Sequence, residues 1–408
     1  MLEIGCEEIP ARMLPRAMES LKSLLEQEFS ARGLLQGQSI QVLATPRRLA
    51  ALARNLAERE QDRVEEIIGP PKSVAVDASG EATRAGEGFA RKQRVSWKDL
   101  KEVTTPKGTY LAAIRKTKGR TTPGMLAELV PSVIRRIEFS RTMYWSSPDG
   151  LRFVRPIRWL VVLWSGNALK IQLDGLHSGA VSYGHRVLGN RPLKLRGADS
   201  YEALLRKAKV LASPAARRQK LEKEISRALR QQGLRLKADA ELLSQVVNLV
   251  EHPSVVVGRF DARFLSLPEE VLVTVMRHHQ KYFSVANRRG RLAPHFVAVI
   301  DQVGDRAGAI RKGHEAVLEA RFRDAEFFWQ ADQELTLEDR RSLLAYVAFV
   351  TGAGNYAQKV ARLEKLTAWL AQNAAQRCRR ADQKRRHADN KNQADRRRAD
   401  NKSAMRAA

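Results

Sequence analysis

The stretch MRHHQKYFSV (Met276–Val285) puts two adjacent histidines, an arginine, a lysine and an aromatic pair into ten residues. Such a set suits metal ligation, proton transfer, contact with an anionic polymer, or packing. Metal ligation is the easiest to weigh. Neighbouring positions on a helix point about 100° apart, and ligand pairs on one helix stand four apart, so His278 and His279 do not share an ion. None of the eight histidines stands four residues from another. Val271, Leu272, Val275 and Met276 mark the apolar arc of a helix; His279 falls inside it, as a packed histidine, and His278 at its edge. Arg277, His278 and Lys281 remain as contacts for RNA or for another subunit.

Two other stretches, ATPRRLA (Ala44–Ala50) and FVRPIRW (Phe153–Trp159), set arginines beside a proline turn. Arg47, Arg48, Arg155 and Arg158 fit two roles there: bidentate donors to phosphate, or partners of the chain's own acids. Glu319 and Arg323 stand four apart, a helix-stabilising spacing, and the Phe and Trp positions near them read as core rather than base-stacking platforms. Known catalytic patterns are missing. GDRAGAIRKGHE lacks the Lys–Ser/Thr ending of a phosphate loop, GEGFAR lacks the third glycine of a dinucleotide fingerprint, and no HExxH, GxSxG or CxxC occurs. Neither a catalytic residue nor a metal ligand set emerges.

The elements that must position these residues follow from periodicity. Leu14, Met18, Leu21, Leu25 and Phe29 repeat as a helix, SIQVLAT reads as a strand, and RRLAALARNL as helical or mixed. GPPKSVAVDASGEATRAGEGFARK reads as loop with one short strand, and Pro131 marks a kink or break in PGMLAELVPSVIRRIEF. FVRPIRWLVVLWSG suggests buried strands. Pro268 opens a helix through PEEVLVTVMRHH, and KYFSVANRRGRLAPHFVAVID alternates into a hairpin around Asn287–Gly290. A helix is expected from about Glu315, with Leu318, Phe322, Ala325 and Trp329 on one face.

The 408-residue chain carries a net charge of +27, which favours a polyanionic partner such as nucleic acid. At 43% hydrophobic it can bury real cores. No run approaches the ~20 apolar residues of a membrane span, and the start has no basic signal-peptide region. The two cysteines, Cys6 and Cys378, point to a reducing, cytoplasmic setting. After Leu370 the composition breaks: residues 371–408 hold twelve Lys or Arg against four Asp, without Leu, Ile, Val, Phe, Tyr or Trp. That segment is expected to be a disordered basic tail, either an RNA-binding element or the product of a frameshift.

In order along residues 1–370, LEIGCEEIPARMLPRA, ATPRRLA, IIGPP, FVRPIRWLVVL, YGHR, LVEHPSVVVGRFD, FLSLPEEVL, HHQKYF and VLEARFRDAEFFWQAD resemble the beta subunit of bacterial heterotetrameric glycyl-tRNA synthetase. No single piece is a strong pattern; the ordered set is specific. The resemblance implies an alpha2 beta2 tetramer in which the alpha subunit houses the active site and uses ATP and Mg to activate glycine. The beta subunit binds tRNA(Gly), so no catalytic centre is expected in this chain. It also implies an α+β multidomain fold: a mixed α/β N-terminal domain over 1–145, a β-rich editing-type domain over 146–314, the start of an all-α HD-like domain over 315–370, then the tail. The family's pattern begins slightly earlier and continues well beyond position 370, through an anticodon-binding domain, so a truncated and impaired subunit is expected. Two other readings are a non-enzymatic RNA-binding module on the same scaffold and an HD-type metal phosphohydrolase. The second lacks any His–Asp dipeptide.

Overall fold

The computed structural model describes residues 1–37, 39–77, 80–106 and 108–374. The chain divides into two compact units, the first being residues 1–323 and the second starting at Asp324. Among the described residues no helix is long and apolar enough to cross a membrane.

The first unit is a mixture of helices and several small sheets. Its opening sheet is fully antiparallel. Strand β1 (Leu2–Cys6) lies at the centre, followed along the chain by helix α1 (Leu14–Ser30), β2 (Gln41–Thr45) and β3 (Arg48–Leu52). A small three-stranded sheet comes next, β4 (Arg63–Pro71), β5 (Lys101–Thr105) and β6 (Gly108–Thr117), with helix α2 (Arg84–Gln93) between β4 and β5. Helix α3 (Thr122–Arg136) leads to β7 (Ile157–Trp164) and the short β8 (Asn167–Ala168). The opening sheet has the order β8-β7-β1-β3-β2. Position 145 therefore lies between strands of one sheet: Leu2 pairs with Val162 on one side of β1 and with Ala51 on the other.

Both faces of this sheet are covered. Leu14, Leu21, Leu25 and Phe29 of α1 join Leu129 and Val133 of α3 over one face. Leu205 and Tyr201, from helix α4 (Ala198–Lys207), lie over the other. All five residues of β3 are consequently buried. That is why RRLAALARNL, expected to be helical or mixed, starts as a strand: a strand buried on both sides does not alternate. Pro131 does not break α3, which continues through it. It costs the carbonyl of Ala127 its helical partner, and Ala127 is exposed, where water can substitute. The stretch expected to be loop holds β4's end and α2, capped by Thr83 Oγ1 accepting from Gly86 N–H.

Beyond α4 come α5 (Pro214–Arg230), β9 (Arg235–Leu236), α6 (Ala240–Val247) and β10 (Ser254–Arg259). Helix α7 (Glu269–Thr274) then precedes β11 (Phe283–Ala286) and β12 (Leu292–Ile300). These strands form a sheet of order β9-β11-β12-β10, and β11–β12 is the hairpin expected around Asn287–Gly290. Leu221, Ile225 and Val246 pack on one face, Leu272, Met276 and Phe322 on the other.

Helix α8 (Ala309–Glu334) starts earlier than expected. It buries Leu318 and Phe322, while Phe327 and Phe328 are exposed, contrary to their expected place in a core. The region expected to be all-helical, 315–370, also holds a β-hairpin, Ala348–Val350 with Gly354–Asn355, between helix α9 (Leu337–Leu343) and a helix at 356–374. The expected tail lies outside the described residues from position 375 onward.

Candidate functional site

The two arginine–proline stretches, more than a hundred residues apart in sequence, meet. Both turns hold the segment that follows β1. Cys6 N–H donates to Arg47 O at 2.9 Å, Ile9 N–H to Pro46 O at 2.7 Å and Glu7 N–H to Pro156 O at 3.0 Å. Arg47, Arg48, Arg155 and Arg158 thus surround one peptide, Gly5–Ile9.

Arg48 is completely buried. Its Nε donates to Glu251 Oε1 at 3.2 Å, and Nη1 donates to Ser182 Oγ at 3.2 Å and Tyr183 O at 2.9 Å. Glu3, also fully buried, lies 4.0 Å from Nη1 and accepts from Trp159 Nε1 and Ser182 Oγ. Thr45 Oγ1 donates to Glu251 at 2.5 Å. Burial works against the Arg48 cation, but the Glu251 and Glu3 carboxylates outweigh it and hold its pKa above the ordinary value. Cys6, inside the same core, is pushed up by burial and is no nucleophile there.

Arg47 is half-buried, 5.7 Å from the Trp159 ring centre, with Nε and Nη1 out of water and without a protein acceptor. Burial lowers its pKa, with Glu251 opposing and Arg186 and Arg48 adding to the shift. Arg155 Nε donates to Glu8 O at 3.0 Å, and Arg158 stands 3.5 Å from Glu7. Arg186, from the YGHR stretch, pairs with Glu7 and, at 3.2 Å, with Glu8. Five arginines here face four carboxylates (Glu3, Glu7, Glu8 and Glu251), so the cluster is close to neutral. Such an arrangement binds three segments of chain together; it is not a strongly positive surface.

Beside it, His185 is buried with Nε2 3.0 Å from Asp301 Oδ2. Its Nδ1 accepts from Val187 and Leu188 N–H, which places the proton on Nε2. Asp301 accepts from Glu251 and His252 N–H. Burial raises the Asp301 pKa, but these hydrogen bonds win and it lies below the usual carboxylate value. None of Glu251, Arg186, His185 and Asp301 stands out in the sequence, since each lies far along the chain from what it touches.

The second group, Arg277, His278 and Lys281, sits at the end of α7. There the helix widens into a π turn over Val275–Gln280, and Lys281 closes it with φ of 60°. A π turn has more than four residues per turn, so the 100° rule fails and His279 is exposed rather than packed. Arg277 donates to Asp239 at 2.6 Å and pairs with Glu241. His278 Nε2 is 3.2 Å from Arg277 Nη1, and Lys281 Nζ donates weakly to His278 O at 3.4 Å. Tyr282 and Phe283 are buried, Tyr282 with its hydroxyl 2.6 Å from His314 Nδ1. The stretch is a helix-to-strand junction with a basic, partly paired rim.

A cavity of about 480 Å³ opens near Leu25, Phe29, Leu126 and Val130, with the Arg54–Asp199 ion pair (2.8 Å) at its edge. Its lining brings no nucleophile and base together. Among the described residues no group of three or more His, Cys, Asp or Glu could hold a metal ion.

A family model described as the glycyl-tRNA synthetase beta subunit matches residues 1–400. The glycine–tRNA ligase beta subunit of Geobacter sp. (strain M21) is 39% identical over 371 residues, covering 91% of this chain and 54% of that protein. That of Acidobacterium capsulatum is 41% identical over 364 residues, covering 88% and 51%. That of Geobacter sulfurreducens is 38% identical over 370 residues, covering 91% and 54%. The chain spans about half the length of the curated relatives it matches.

Proposed function

Because this chain belongs to the glycyl-tRNA synthetase beta subunit family, we propose that it serves a glycine–tRNA ligase as the subunit that holds tRNA(Gly). The observation that carries this reading is the family match along residues 1–400. The net charge of +27 fits a polyanionic substrate. In this reading the chemistry, with ATP and Mg, belongs to an alpha subunit in a cytoplasmic alpha2 beta2 tetramer. The described residues offer no group of three or more His, Cys, Asp or Glu that could hold a metal ion by themselves. Residues 146–314 would form the editing-type domain and 315–370 the start of the HD-like domain.

The seven residues singled out from sequence, five arginines with a lysine and a histidine, divide by what they touch. Arg48 spends its donors inside the core, and Arg277 is held by Asp239 and Glu241. Arg47, Arg155, Arg158, His278 and Lys281 are the ones with donors left for tRNA or the alpha subunit. Two measurements test the reading. Filter binding of a tRNA(Gly) transcript should give an affinity whose logarithm falls linearly with the logarithm of salt concentration. Charging with labelled glycine should require an added alpha subunit. Charging by this chain alone would refute the division of labour, and absence of tRNA binding at low salt would refute the role itself.

A further inference from the structure

A further group of basic residues in the first unit lies away from both groups described above. Helix α5 ends in Arg227 and Arg230, with Lys223 one turn earlier, all exposed. The chain turns at Gly233 (φ 67°, left-handed) into β9, which pairs with β11. That pairing brings the β11–β12 turn against the end of α5. A Cβ on Gly233 would lie 3.4 Å from Nε and Nη2 of Arg288, so the guanidinium rests directly on the backbone there. Arg230, Gly233, Arg288, Arg289 and Arg291 line one shallow groove that contains no acidic residue. A second depression shares Arg230 and continues along α5 past Arg227 and Lys223.

What sets these side chains apart is that they share one continuous groove without a counter-charge of their own. Elsewhere on α5, Arg218 pairs with Glu222 at 3.6 Å and Lys220 with Glu224 at 3.7 Å. Among the described residues, Lys223, Arg227, Arg230, Arg288, Arg289 and Arg291 have no carboxylate within ion-pair distance, and none is among those with unprinted partners. Their backbone is nevertheless rigid. Asn287 Oδ1 accepts from Arg289 N–H at 2.9 Å and Arg291 N–H at 3.2 Å, and Gly290 N–H donates to Asn287 O at 3.0 Å. A stiff scaffold thus keeps like charges together, an arrangement that an external anion relieves.

We infer that the stripe formed by Lys223, Arg227, Arg230, Arg288, Arg289 and Arg291 is a contact surface for the phosphate backbone of bound RNA. Five of the six are arginines, whose planar fork suits phosphate oxygens. Lys223 and Arg230 are seven residues apart on one helix, roughly 10 Å, a span that reaches more than one phosphate. The groove has no aromatic side chain for stacking and is shallow, so it positions RNA without reading bases. The inference rests on the tRNA-holding role and adds where the backbone is gripped.

The test uses the full 408-residue chain and a tRNA(Gly) transcript. The variant Arg288→Glu/Arg289→Glu/Arg291→Glu is compared with a control of equal charge change on α2 and the turn after it, Arg91→Glu/Lys92→Glu/Lys98→Glu. A neutral version, Arg288→Gln/Arg289→Gln/Arg291→Gln, guards against effects of the new carboxylates. Thermal melts of all variants should match the parent, since the three side chains are exposed. The groove variants should lose at least roughly tenfold in affinity at low salt, and the slope of log affinity against log salt should shrink by about three, one for each phosphate contact removed. The control should keep the parental slope. Equal losses in groove and control variants would overturn the inference, as would loss of alpha-subunit binding with tRNA affinity intact. If the parent chain binds no tRNA, the functional reading falls first, and the inference with it.

Discussion

Replacing Arg48 by Met should be the most damaging single change in the first unit. Arg48 is fully enclosed and makes hydrogen bonds to Glu251, Ser182 and the Tyr183 carbonyl. Its removal leaves Glu3 and Glu251 inside the protein without their cation. Breaking a buried pair in this way costs about 3–5 kcal/mol, because a charge stays behind in a place that water cannot reach. Glu251→Gln should cost less, since an amide oxygen can still accept from Thr45 and Arg48 keeps Glu3 at 4.0 Å. Hydrogen exchange of peptides covering β1 and β3, followed by mass spectrometry, reads the local opening free energy. Arg48→Met should accelerate exchange there by roughly a hundredfold to a few thousandfold, the equivalent of that cost, with Glu251→Gln well below it. Peptides from β11 and β12 report whether the whole unit follows. Unchanged protection of β1 in Arg48→Met would show that the two carboxylates are tolerated without the guanidinium, and the account of the core would be wrong.

Three other outcomes can be checked. Gly5→Ala should destabilise β1 by about 1–3 kcal/mol or more, because its Cβ would fall 1.8 Å from Trp159 Cε2 and displace the indole from Glu3; an unchanged denaturation midpoint would contradict this. His252 is held down at about 4 by burial, with Lys220 and Lys209 adding to it, against an ordinary 6.5. Between these values the unfolded chain takes up a proton and the folded one does not, so stability should fall as pH drops from 6.5 to about 4. His252→Asn should flatten that part of the urea-midpoint profile, and a profile identical to the parent's would exclude His252 as the source. His278→Ala/Lys281→Ala should weaken tRNA binding without lowering the melting temperature, whereas unchanged affinity would leave the α7 junction a purely structural element.

The amphipathic helices and the β11–β12 hairpin were legible in the sequence because their signals are local: Leu14 to Phe29 on one face, alternation on either side of Asn287–Gly290. Strand β3 was not, since burial on both sides erases alternation and leaves RLAAL looking helical. His279 was misplaced because the π turn at Val275–Gln280 shifts the phase of everything after it, and no residue there announces the extra width. The arginine–proline stretches were visible as chemistry, but their acids were not: Glu251 meets Thr45 across 206 residues. Unpaired Arg288, Arg289 and Arg291 looked like ordinary turn residues until the strand pairing set them against the end of α5.

The place of β1 in its sheet also sets an order of events during synthesis. Strand β1 can pair with β3 once Leu52 has left the ribosome, but its other edge belongs to β7, and Leu2 must wait for Val162. At about 5–20 residues per second, that edge stays open for some 5–20 s. Over that interval the hydrophobic strand LEIGC offers unsatisfied backbone groups to any neighbouring chain. Glu3 is the one charged residue in it, and it becomes buried only when Trp159 and Ser182 arrive. Until then its carboxylate stays in water and opposes edge-to-edge association. The same side chain that later anchors the core therefore first keeps the nascent strand soluble.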